Sequence, residues 1–121
     1  MSDFTSKKLA KLACDALADK KAEDIKIIDI SNVSTLADYF IIAGGMNRNQ
    51  VQAMADNVEE LIGKTYQVGP KQVEGYTTAN WILMDYGDIV VHIFDKENLR
   101  FYDLARVWRD GKDVSVEDLN D

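Results

Sequence analysis

The segment from Asn80 to Asp95, Asn-Trp-Ile-Leu-Met-Asp-Tyr-Gly-Asp-Ile-Val-Val-His-Ile-Phe-Asp, constrains the fold more than any other part of the chain. β-Branched and aromatic residues fill two arms with Gly87 between them, the pattern of two strands folded back on each other. A two-residue loop at Tyr86-Gly87 would set Asp85 opposite Asp88, a like-charge pair. It would also demand a positive φ at Tyr86, which a bulky side chain resists. A three-residue loop with Gly87 left-handed avoids both and is the expected turn. That register pairs Leu83 with Ile89 and Trp81 with Val91 on one face, and puts Ile82, Met84, Val90, His92 and Phe94 on the other. Both faces are then apolar, and the helices of a small domain cover only part of such a sheet.

The rest of the chain supplies those helices. Leu9, Leu12, Ala13, Ala16 and Leu17 recur at the helical period between Thr5 and Lys20, with Lys7, Lys8, Lys11 and Asp15 off the stripe and Thr5 placed to cap. Cys14 at the stripe's edge reads as a packing residue. Asp24–Ile30 reads as a first strand, Ser31–Leu36 as a polar connection, and the apolar run Asp38–Gly44 as a second, more buried strand. Asn47 or Asn49 caps a second helix with a core stripe of Val51, Met54, Ala55, Val58, Leu61 and Ile62, and Gly63 is placed to end it. Val68–Tyr76 holds a weaker strand confined to an edge by Gly69-Pro70. After the hairpin, Asp95 caps a third helix carrying Phe101, Leu104, Ala105 and Trp108 on one face. The order α-β-β-α-β-β-β-α predicts an α/β (α+β) domain with a mixed sheet over residues 1–108. Residues 109–121 read as an acidic, mobile tail.

With 121 residues the chain is one domain. Its 14 basic and 21 acidic residues give a formal charge of −7, which opposes broad phosphate binding and favours a basic protein partner. A single cysteine, no apolar signal core and no run of the ~18 apolar residues a membrane span needs lead to the expectation of a soluble cytoplasmic protein.

Chemistry is hard to find. A strand ending in Gly44-Gly45 and entering a helix can present N–H groups to phosphate, as nucleotidyltransferases do. Such enzymes also need carboxylates for metal ions. Here Met46, Asn47, Arg48, Asn49 and Gln50 follow, with no acid until Asp56. His92, the lone histidine, has no nucleophile or soft metal ligands arrayed with it, so neither cofactor nor metal is expected. Asp85 and Asp88 read as turn formers. Trp81 and Tyr86 are the better signal, because Trp and Tyr are enriched where interfaces concentrate their energy.

Asp38-Tyr39-Phe40-Ile41-Ile42, Glu74-Gly75, the string Trp81 to Phe94, Tyr102-Asp103-Leu104 and Trp108 together resemble the ribosomal silencing factor (Iojap) family, over roughly Thr5 to Trp108. The resemblance implies a nucleotidyltransferase-like fold without the catalytic acids and a non-enzymatic role. It implies a translation repressor that binds the large ribosomal subunit through its fourteenth protein and blocks joining with the small subunit when nutrients are scarce. It further implies a homodimer in the free state and little direct nucleic-acid contact. A residual nucleotidyltransferase and a large-subunit assembly factor are the alternatives. Trp81, Met84, Tyr86, Asp88 and His92 are the expected partner contacts, with Leu83, Ile89, Val91 and Ile93 as the core side.

Overall fold

The computed structural model describes residues 5–31, 37–96, 112–115 and 119. Helix α1 (Ser6–Asp19) starts where the Thr5 hydroxyl accepts a hydrogen bond from the Lys8 N–H, and it buries Leu9, Ala13, Ala16 and Leu17. Helix α2 (Arg48–Tyr66) is capped by Asn47, whose side chain accepts from the Gln50 N–H at 2.9 Å, and it buries Val51, Met54, Ala55, Val58 and Ile62. Among the described residues the strands are β1 (Glu23–Asp29), β2 (Tyr39–Gly45), β3 (Gln72–Glu74), β4 (Trp81–Asp85), β5 (Ile89–Asp95) and β6 (Lys112–Val114). They form one sheet in the order β3-β4-β5-β2-β1-β6, with β2 and β5 parallel and the other pairs antiparallel. The α/β class with a mixed sheet is as expected, and the element order matches through β5.

Helices α1 and α2 lie on one face of the sheet. Their stripes meet Ile27, Ile41, Ala43, Ile82, Met84, Val91 and Ile93 in one continuous core. Cys14 belongs to it, and burial pushes its thiol up to about 12, which keeps it un-ionised and inert. The opposite face holds a smaller cluster of Ile28, Ile30, Ala37, Ile42 and Phe94.

Three expectations need correction. Helix α2 does not stop at Gly63. It continues to Tyr66, and Gln67 takes the left-handed position with φ 56°, its N–H bonded to the Gly63 carbonyl. Residues 109–121 are not simply an unpaired tail, because Lys112–Val114 pairs with β1 and Leu119 is buried in the main core. The expected third helix with Phe101, Leu104, Ala105 and Trp108 lies outside the described residues, as does most of the Ser31–Leu36 connection.

The third correction is the hairpin register. β4 and β5 pair Trp81 with Phe94, Leu83 with His92 and Asp85 with Val90, three places from the expected alignment. The turn is a two-residue loop one position later than the one rejected above. The Tyr86 N–H donates to the Ile89 carbonyl at 2.9 Å, and Gly87-Asp88 forms the bend, with φ 91° at Gly87. A glycine with positive φ at the first central position is what a type II′ turn requires. The Asp85 carboxylate accepts the Gly87 N–H at 2.8 Å, so the two acids are never opposed.

Candidate partner-binding surface

An odd register shift moves one strand's side chains to the other face, and the site changes accordingly. On the helix side lie Ile82, Met84 and Tyr86 of β4 and its turn, with Ile89, Val91 and Ile93 of β5, all buried. On the other side lie Trp81, Leu83 and Asp85, with Val90, His92 and Phe94. The five expected contacts therefore divide. Trp81 and His92 come together on the face away from the helices, and Asp88 is exposed at the hairpin tip. Met84 and Tyr86 pack into the core beneath the helices, and Leu83 leaves the expected core side for the open face.

Trp81 is 37% exposed at the start of β4. Its position is held by chemistry. The indole Nε1–H donates to His92 Nδ1 at 3.1 Å, and the two rings lie 5.8 Å apart. An imidazole that accepts at Nδ1 is neutral, with its proton on Nε2. Burial favours the same form and lowers the His92 pKa from 6.5 to about 4. Phe40 braces the imidazole edge-on at a centroid distance of 4.8 Å. Among the described residues Nε2 has no hydrogen-bond partner.

Beside this pair the sheet carries a groove of about 290 Å³. Phe40, Leu83, Val90 and His92 line it with Ile30 and Ala37, and Gln72, Glu74 and Asp85 supply its polar edge. β3 ends the sheet on this side, and all three of its residues are exposed. The link from β3 to β4 depends on Gly75, with φ 79°, where a Cβ would lie 2.2 Å from the Trp81 carbonyl oxygen. Tyr76 ties the same link to α2 by donating to the Asp56 carboxylate at 3.0 Å.

The other candidate, the Gly44-Gly45 turn, is already filled by the chain itself. A Cβ at Gly44 would meet the Lys96 side chain at 2.8 Å, and one at Gly45 would meet Val51 at 2.8 Å. Lys96 lies across the turn with its ammonium on Asp24 at 2.6 Å and Glu23 at 3.4 Å. The N–H groups that would face a phosphate are engaged, Met46 with Gln50 Oε1 and Gln50 with Asn47 Oδ1. Gln50 Nε2 in turn donates to the Lys20 and Lys21 carbonyls. This packing weighs against the nucleotide-binding alternative.

Comparison with known proteins gives the family. The family model described as "Ribosomal silencing factor during starvation" matches residues 3–121. A ribosomal silencing factor of Bacillus subtilis is 39% identical, covering 88% of this chain and 90% of the relative. One from Halalkalibacterium halodurans is 36% identical over 94% of this chain and 97% of its own length. Among solved structures, a Bacillus halodurans protein superposes with a TM-score of 0.80 at 35% identity, covering 89% of this chain and 97% of that one. A Chromobacterium violaceum protein superposes at 0.82 with 32% identity, covering 93% and 92%. The match includes the hairpin, both capped helices and the C-terminal residues that form β6, and on it the chain belongs to the ribosomal silencing factor family.

Proposed function

We propose that this protein represses translation in the cytoplasm by binding the large ribosomal subunit through its fourteenth protein, so that the small subunit cannot join. The family membership supports a ribosome-directed, regulatory role, since the relatives bear the name of silencing factors. The observation that carries the docking surface is the half-exposed Trp81, locked by His92 beside an apolar groove on the sheet face opposite α1 and α2. A rigid aromatic in such a place is a binding anchor in the usual sense, a large contact area with little entropy left to lose. Of the five expected contacts, Trp81, His92 and Asp88 keep that role in the proposal, while Met84 and Tyr86 support it from the core.

Obstruction needs an interface of standard size, ~1,200–2,000 Å² in total, and no catalytic group. The free protein is proposed to pair with a second copy, which would cover apolar surface until the ribosome is met. The test is co-sedimentation with purified large subunits followed by a subunit-joining assay. Binding at micromolar concentration and a dose-dependent loss of joined ribosomes are expected. A protein that remains at the top of the gradient contradicts the proposal.

A further inference from the structure

The docking surface has a chemical asymmetry that narrows what can enter it. Its floor is apolar, formed by Leu83 and Val90 with Phe40 beside them. Its charges among the described lining residues are two carboxylates, Glu74 and Asp85; Lys71, outside the lining, runs past Asp85 with its ammonium against Gly87 at the hairpin tip. His92 adds no positive charge, because it accepts from Trp81 and stays neutral in its buried position. Glu74 pairs with Leu83 and Gln72 with Asp85, so the two acids are diagonal neighbours on one face. Diagonal positions stand roughly 7–8 Å apart, a spacing at which one cation between them reaches both. Each acid already has one oxygen held by the chain, Glu74 Oε2 by Gln72 at 2.8 Å and Asp85 Oδ1 by Gly87 at 2.8 Å. The hydrogen bonds of the described residues leave each acid's other oxygen for a partner.

We propose that this groove takes one lysine or arginine side chain of a protein partner, its aliphatic stem along Leu83 and Val90 and its charged head between Glu74 and Asp85. The inference rests on the reading that this face docks on the ribosome, and it names the chemistry of the contact. A long basic side chain is the one type that is apolar along its length and cationic at its tip, matching floor and rim together. A phosphate group would meet two carboxylates instead, so RNA is repelled from this point. The groove is also at or below the ~300–1,000 Å³ of small-molecule sites, closer to the size of a single side chain than of a cofactor. The pairing is partly desolvated by the apolar floor, so it contributes to specificity and holds the complex once formed.

The experiment is a co-sedimentation titration with large subunits at two ionic strengths, for the unaltered protein, Glu74→Gln/Asp85→Asn and Leu83→Lys. Gln and Asn preserve the oxygen acceptors that Gln72 and Gly87 use, so the hairpin keeps its turn. Leu83→Lys places a cation from the chain itself in the groove. The expected result is a loss of about 10-fold in affinity for each, with a shallower salt dependence for the double variant. If the unaltered protein does not bind, the docking reading fails. If it binds, and either variant binds within about 2-fold of it with the same salt dependence, the groove inference fails while the docking reading stands. Glu74→Gln alone, on an exposed edge strand, carries the test should Asp85→Asn or Leu83→Lys disturb folding. Its expected loss is about 3-fold, and none overturns the groove inference.

Discussion

The two faces of the β4–β5 pair are both apolar in sequence and differently covered. On the helix side Ile82, Val91 and Ile93 are fully buried against α1 and α2 in a single core. On the other side the same two strands offer Trp81 and Leu83 at partial exposure, next to a groove edged by acids. The first face is occupied by the chain's own side chains. The second carries the smaller cluster around Ile42 and Phe94 and a Trp–His hydrogen bond. Apolar character alone does not separate a covered face from a partly exposed one; among the described residues the difference is that α1 and α2 lie on the first.

The comparison can be broken by substitution. Ile93→Ala should cost about 2–5 kcal/mol, a transfer loss plus a cavity. Leu83→Ala, on the half-exposed side, should cost about 1 kcal/mol or less, since it loses much less buried area. Urea unfolding of both variants measures the difference, and equal losses would abolish the distinction between the faces. A second effect comes from acid. The pKa of His92 falls from 6.5 to about 4 on folding, so the unfolded chain binds more protons between these values. The stabilisation is complete above pH 6.5 and is lost as the pH falls towards 4, by up to about 3 kcal/mol. Unfolding of the protein and of His92→Phe across pH 4–7 isolates this share as the difference in slope. An identical slope in both would mean that His92 does not titrate differently in the folded state.

Two smaller effects sharpen the contrast. Trp81→Ala should weaken large-subunit binding by ~2 kcal/mol in a protein that still unfolds cooperatively. Unchanged affinity would move the docking surface elsewhere. Tyr86→Phe should leave stability within about 0.5 kcal/mol or raise it, because the Tyr86 hydroxyl is buried without a hydrogen-bond partner among the described residues. A thermal melt lowered by several degrees would show that the hydroxyl has an unseen role.

The helices were legible in the sequence because two signals agreed for each, a 3.6-residue stripe and a polar cap, Thr5 for α1 and Asn47 for α2. Their ends were less so. Gly63 suggested a stop, but a glycine is tolerated within a helix at about 1 kcal/mol, and Gln67 adopted the left-handed cap instead. The hairpin's position could be read and its register could not. Register is specified by alternation between an apolar and a polar face, and arms that are apolar on both sides leave it open. The shift carried Met84 and Tyr86 inward and Leu83 outward, so the five residues expected to act together are divided between the two faces. β6 left no trace, since three residues with a single apolar member show no period.

The parallel pairing of β2 with β5 also bears on how the chain is made. Tyr39 meets Ile89 and Gly45 meets Asp95, so every contact of the central pair joins residues far apart in the chain. Synthesis at roughly 5–20 residues per second delivers β5 a few seconds after β2. In that interval β2 can pair with β1 on one side, while its other edge, Tyr-Phe-Ile-Ile-Ala, is left bare. A bare apolar edge is the template on which chains pair wrongly. The nascent protein is most vulnerable to aggregation when elongation is slowest.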